Sequence, residues 1–240
     1  MRPAPARPLA TTSKSAVIVR GLFVGSALAL GFVALALGVT YESRWMLELD
    51  RTVEAALRSL PAAIGDASAL AARLGDPRPA LVAALGVAAA FALRRRWLFL
   101  ATWIAALAGN GILTWALKRL VARARPLDAD GLAMSATFSF PSAHSAGLLV
   151  ACGLLAYLAS RSSRKRATVL AMAAACLFVA AVGTGRVLLG YHHATDVLAG
   201  FLSGGVWLTV CIVAAELVRR RATAAAGTGA PGRPEGLASA

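Results

Sequence analysis

Six long apolar runs constrain this chain more than any other feature. They cover residues 21–39, 79–93, 97–117, 145–159, 167–185 and 197–218. A helix rising about 1.5 Å per residue needs roughly 20 apolar residues to cross a hydrocarbon core about 30 Å thick. Four runs come close to that length or reach it. The runs at 79–93 and 145–159 are shorter, and polar neighbours snorkelling at their ends would extend them. The first run exceeds the roughly 7–15-residue apolar core of a cleaved signal peptide, which predicts a retained helix. Hydrophobic residues make up 58% of the chain and charged residues 15%, with a mean hydropathy of +0.69. Soluble domains average about 45–50% and roughly 25%. The sequence therefore predicts an all-α integral membrane protein with six transmembrane helices. Its abundant Ala and Gly let helix backbones approach closely where lipid supplies no hydrophobic drive to pack.

Residues 40–78 differ, mixing six acidic and five basic residues among apolar ones. Trp45, Leu49, Val53, Ala56 and Leu60 recur at helical spacing, which predicts an extracytoplasmic amphipathic helical segment between the first and second spans. It would lie on the membrane surface or over the bundle, and Pro61 would break it. Residues 1–20, basic and proline-containing, read as a flexible cytoplasmic tail. Residues 21–218 form the transmembrane domain, and the Ala/Gly/Pro-rich residues 219–240 read as a disordered cytoplasmic tail.

A formal net charge of +14 would suggest nucleic-acid binding in a soluble protein. Position argues otherwise, because no basic and aromatic residues interleave as they do where bases are gripped. Fifteen of the 25 basic residues lie at the two ends, in Arg94, Arg95 and Arg96, and in residues 161–166. With six crossings all of these fall on one side, which the positive-inside rule makes cytoplasmic. The connections at 40–78, 118–144 and 186–196 fall on the other side, with ten basic against nine acidic residues. Both termini are then cytoplasmic, in a multi-pass protein of the plasma (bacterial inner) membrane. Cys152, Cys176 and Cys211 fall inside apolar runs without zinc-ligand spacing, and read as small buried apolar residues.

The three histidines, His144, His192 and His193, all fall in the last two outward connections, along with Lys118, Arg125, Arg186 and Asp196. Singly, each has a plain explanation as a helix-end anchor or boundary residue. Their spacing is more specific. Lys118 and Arg125 frame KRLVARARP, residues 141–144 read Pro-Ser-Ala-His, and residues 186–196 read RVLLGYHHATD. In this order, on alternating loops of a helical membrane protein, the three segments resemble the type 2 phosphatidic acid phosphatase family, whose site architecture is shared with vanadium-dependent haloperoxidases. The resemblance runs from about Glu42 to Ala215 and includes the Leu49-Asp50 pair and Phe140-Pro141-Ser142. It implies a lipid phosphatase that needs no metal and no cofactor. Three departures stand out: Ala143 replaces the family's usual Gly, Gly185 its usual Ser, and His193 its frequent Trp. We read His193 as a pocket or interface residue.

The chemistry of these residue types agrees. A phosphate monoester is a doubly charged tetrahedral group and needs several cations and donors to enter a partly dry pocket. Arg125 and Arg186 offer forked donors, and Lys118 adds a compact charge. Ser142 and the amides of Ala143 and His144 would contribute donors at a helix start, where the helix dipole favours anions. His192 is the candidate nucleophile, since Asp196 four residues on would hold one ring nitrogen and leave the other's lone pair for phosphorus. His144, with an ordinary imidazole pKa near 6.5, suits the general acid that protonates the leaving group and then the base that activates water.

The partners expected are a lipid phosphate substrate and membrane lipids, with no nucleic acid. Undecaprenyl diphosphate leads slightly as substrate, because an outward site fits cell-wall carrier recycling; phosphatidate and phosphatidylglycerophosphate stand beside it. A phosphotransferase would use the same site with an alcohol acceptor. A six-helix transporter would place ionisable groups mid-membrane, where the predicted helix centres carry none.

Overall fold

A computed structural model describes residues 12–126, 137–160 and 165–228. They form eight helices: α1 (Thr12–Thr40), α2 (Arg44–Arg58), α3 (Ala62–Leu74), α4 (Pro77–Leu93), α5 (Trp97–Val121), α6 (Ala143–Ser160), α7 (Lys165–Leu188) and α8 (Ala194–Thr228). No strand occurs among the described residues. Among the described residues, five helices, α1 and α5 to α8, are long and apolar enough to cross a membrane. A sixth crossing exists only when α3 and α4 are taken as one span bent by 59°.

That bent span corrects the expected boundary of the second crossing. The run 79–93 lies in α4, too short alone, and α3 comes from the segment expected at the surface. The local sequence explains the break. Gly75 caps α3, Asp76 is extended, and Pro77 opens α4. A proline has no N–H to continue α3 but is well suited to a helix's first turn. Pro61 similarly separates α2 from α3.

Many large apolar side chains point outward, among them Leu22, Phe23, Leu30, Val82, Leu93 and Leu177. Contiguous apolar surface of this kind suits lipid rather than water. Inside, one cluster joins Trp103, Ala106, Val150, Leu154 and Cys211 across α5, α6 and α8. A second joins Leu35, Met46, Phe140 and Ala199. Phe140 is fully buried, with its ring 5.7 Å from that of Phe32, so it pins the chain entering α6 onto α1. Of the three cysteines only Cys211 is buried; Cys152 is half-buried and Cys176 exposed. An unbranched apolar thiol needs no burial on a helix flank that faces lipid.

The amphipathic segment is helical as expected. Met46 and Asp50 are buried, whereas Trp45, Leu49 and Leu60 are exposed. Most of the apolar stripe thus faces outward, Val53 is half-buried, and the bundle receives Met46 and a carboxylate. Helix extends into both expected tails, since α1 starts at Thr12 and α8 runs to Thr228. The remainder of both tails, residues 127–136 and residues 161–164 of the basic cluster lie outside the described residues.

Candidate active site

The ends of α5 and α7 and the starts of α6 and α8 meet at one end of the bundle, beside α2 and the α3–α4 break. Close packing there depends on glycine. A Cβ on Gly200 would sit 2.6 Å from the Ser142 carbonyl oxygen, so only glycine lets α8 lie against the start of α6. The Ser142 amide donates to the Asp196 carbonyl oxygen at 2.9 Å, joining the second and third sequence segments directly.

His192 and its neighbours occupy the centre. The residue is 2% exposed, and its Nδ1 stands 3.6 Å from Asp196 Oδ2 with no hydrogen-bond partner. A movement of about half an ångström would close that bond, and catalytic contacts are commonly loose before substrate binds. On the other side, Nε2 lies 3.4 Å from Arg125 Nη1. The ring thus places one nitrogen toward a carboxylate and the other toward a cation. Burial lowers the His192 pKa from its ordinary 6.5, as do the charges of Arg125 and Lys118, against the opposing Asp196 carboxylate. The imidazole is held neutral, the form a nucleophile requires.

Lys118 and Arg125 are braced by neutral groups. Lys118 Nζ donates to the carbonyls of Phe138 and Ser139 at 2.5 and 3.1 Å. Arg125 donates to Thr137 O, Thr137 Oγ1 and Tyr191 O at 2.8, 3.0 and 2.6 Å. No carboxylate among the described residues forms an ion pair with either. Burial lowers the Arg125 pKa, helped by the nearby Arg186 charge, and Asp196 opposes the shift. Carbonyl contacts fix both cations without neutralising them, which leaves a positive site suited to an anion.

His144 is half-buried on the first turn of α6, with its Nε2 buried and unpartnered. Arg186, His192, Asp76 and Arg125 all act on it electrostatically, so it belongs to the same cluster. Ser142 caps α6: its Oγ accepts from the Ser145 amide and hydroxyl at 3.5 and 3.1 Å. Both oxygen lone pairs are used internally, which leaves its own hydroxyl proton to donate. The first-turn amides of Ala143 and His144 have no intrahelical acceptor. Arg186 differs from the other cations, since its Nη2 pairs with Asp76 Oδ1 at 2.5 Å and Ala72 O at 3.2 Å. His193 is an interface residue, with Nδ1 3.1 Å from Glu54 Oε1 on α2.

A family model described as the PAP2 superfamily matches residues 97–220, just over half of the chain. The chain belongs to that superfamily. Its fold is similar to the crystal structure of a transmembrane PAP2-type phosphatidylglycerolphosphate phosphatase from Bacillus subtilis. The TM-score is 0.71 at 24% identity, over 82% of this chain and 98% of that one. No curated protein matches the chain significantly. All three PAP2-like segments, from Lys118 to Asp196, lie within the matched region.

The structure also brings in residues that the spacing did not single out. Arg123 donates to Asp196 Oδ1, Asp50 Oδ2 and Thr195 Oγ1 at 2.7, 2.6 and 2.8 Å. Asp50 in turn accepts from the Thr195 amide and hydroxyl at 2.8 and 2.9 Å. The two carboxylates raise the Arg123 pKa despite its burial. This network ties the carboxylate facing His192 to α2. The departure at Gly185 has a steric reason here: a Cβ would sit 2.1 Å from the Ser68 carbonyl oxygen and 2.8 Å from Ala72 Cβ. Helix α3 occupies the space a serine side chain would take.

Proposed function

We propose that this PAP2 protein hydrolyses a lipid phosphate or diphosphate at the outer membrane face through a phosphohistidine on His192. The observation that supports it best is the orientation of the His192 ring between Asp196 and Arg125. With Nδ1–H directed at the carboxylate, the Nε2 lone pair faces the cationic pocket where a phosphoryl group would bind. Lys118, Arg125 and Arg186, with Ser142 and the α6 amides of Ala143 and His144, would stabilise charge on the equatorial oxygens.

Nε2 attacks phosphorus, and the bond to the leaving oxygen breaks as His144 gives that oxygen a proton. Water then attacks the phosphohistidine, His144 takes a proton from it, and the P–N bond breaks to release inorganic phosphate and neutral His192. A headgroup substrate suits a site at the end of the bundle, and the basic clusters on the opposite connections support an extracytoplasmic placement. That placement favours undecaprenyl diphosphate. Phosphatidylglycerolphosphate is the second reading, because the structurally similar phosphatase from Bacillus subtilis is named for it.

The test is a phosphate-release panel in detergent over undecaprenyl diphosphate, phosphatidate and phosphatidylglycerophosphate, with EDTA present. Wild type should release phosphate from at least one, and His192→Ala from none. Retained turnover in His192→Ala would remove His192 as the nucleophile.

A further inference from the structure

Of the three cations proposed above to bind phosphate, Arg186 is the one with a carboxylate partner among the described residues. Among the described residues, Lys118 and Arg125 bond to neutral groups. Arg186 bonds to Asp76 at 2.5 Å, its Nε is buried without a partner, and the residue is 4% exposed. The Asp76 side chain is 46% exposed. The pair therefore joins a guanidinium that cannot reach water to a carboxylate that can.

The fold, rather than local sequence, makes this contact. Asp76 stands at the break in the bent α3–α4 span, and the absence of a side chain at Gly185 lets α3 lie on α7 one residue before Arg186. The Asp76 side chain makes no cap hydrogen bond to α4. Its observed polar partner is Arg186.

We infer that Asp76 is a resident anion that sets the phosphate affinity of the pocket: it pairs with Arg186 when the site is empty and is displaced from it by the substrate's phosphate. This rests on the reading of the pocket given above. A buried guanidinium left without a counter-charge would bind any phosphate tightly, including the inorganic phosphate left by the reaction. An exposed carboxylate competing for the same donors weakens both complexes and speeds product release, and it turns to water at little cost when phosphate enters. Asp76 is thus a specificity and release residue, and takes no part in bond making.

The experiment compares wild type, Asp76→Asn and Asp76→Glu in detergent, measuring the inhibition constant for inorganic phosphate, KM and kcat for the hydrolysed lipid, and thermal protection by inorganic phosphate. Asparagine keeps an acceptor for Arg186 and removes the charge. Phosphate should inhibit Asp76→Asn about two- to fivefold more tightly, the range expected for a half-exposed ion pair. Its KM should fall with kcat no higher than wild type, and Asp76→Glu should return toward wild-type values. An unchanged or weaker phosphate inhibition constant in a folded Asp76→Asn overturns the inference, as does a loss of kcat alone. If Asp76→Asn does not fold, Asp76→Ser serves, with the same expected direction. A wild type that turns over lipid while Asp76→Asn shows unchanged phosphate affinity sinks this inference and leaves the phosphatase reading standing. A wild type that neither turns over lipid nor is protected by phosphate sinks both.

Discussion

Replacing Arg123 by Gln tests the network that positions the site. The arginine side chain is 12% exposed, and its two carboxylate partners, Asp50 and Asp196, are 5% and 0% exposed. The substitution removes three hydrogen bonds of 2.6–2.8 Å, two of them to charges. It leaves two buried carboxylates near one another with no cation between them. Breaking a buried pair by removing one partner costs about 3–5 kcal/mol, most of it from the stranded charge. Some of the loss will be relieved by protonation of one carboxylate, so the destabilisation should be largest at high pH and shrink on acidification. Activity should fall by at least about tenfold, because a displacement of Asp196 equivalent to 1.4 kcal/mol at the reacting nitrogen already gives that factor. Thermal unfolding in detergent, followed by tryptophan fluorescence, and phosphate release give the two readouts. The double variant Arg123→Gln with Asp50→Asn should recover part of the stability, since it removes one stranded charge. Wild-type stability in Arg123→Gln, within about 1 kcal/mol, would refute the assignment of Arg123 as the bridge.

Gly185→Ala should destabilise by about 1–3 kcal/mol or more, because its Cβ would meet the Ser68 backbone at 2.1 Å and force α3 from α7; an unchanged melting temperature would contradict that packing. If His192 is the nucleophile proposed above, the acid limb of the kcat/KM profile should lie below pH 6.5, since burial lowers its pKa and only the neutral ring can attack. By the same shift, the unfolded chain takes up a proton near its ordinary value that the folded site resists, so this contribution to stability is lost as pH falls below about 6.5. A limb centred above 6.5 would place the controlling group elsewhere. His144→Ala should slow phosphate release by about 10²–10⁴-fold, with the smallest loss for substrates having good leaving groups; an equal loss across leaving groups would argue against an acid role.

The long apolar runs made the membrane class and five of the crossings legible, because lipid imposes a length and a composition that nothing else in a sequence imitates. The second crossing was only half legible. Asp76 and Arg78 interrupt its hydropathy, and α3, small and mildly polar, is held by packing on α7 rather than by its own apolarity. Lys118, Arg125, His144, Arg186, His192 and Asp196 were legible as a set through three segments that resemble the PAP2 family's, and the fold brings them to one end of the bundle. Arg123 sat unremarked between Lys118 and Arg125 because a third cation in KRLVARARP carries no distinctive spacing. Asp50 is legible in the sequence as half of the Leu49-Asp50 pair of the resemblance, without a role, and its burial beside Thr195 is a tertiary fact. Asp76, before a proline, reads as an ordinary helix start. Its contact with Arg186 exists only because α3 folds back onto α7.

His192 is the residue proposed to carry the phosphoryl group. Rapid quenching of the enzyme during turnover of a hydrolysed lipid phosphate, followed by mass spectrometry under alkaline conditions that preserve phosphohistidine, tests that role directly. A phosphoryl adduct on His192 is expected within one turnover; it should accumulate in His144→Ala when the leaving group needs no proton, and be absent from His192→Ala. An adduct on another residue, or full turnover with no adduct in either the wild type or His144→Ala, would contradict that role.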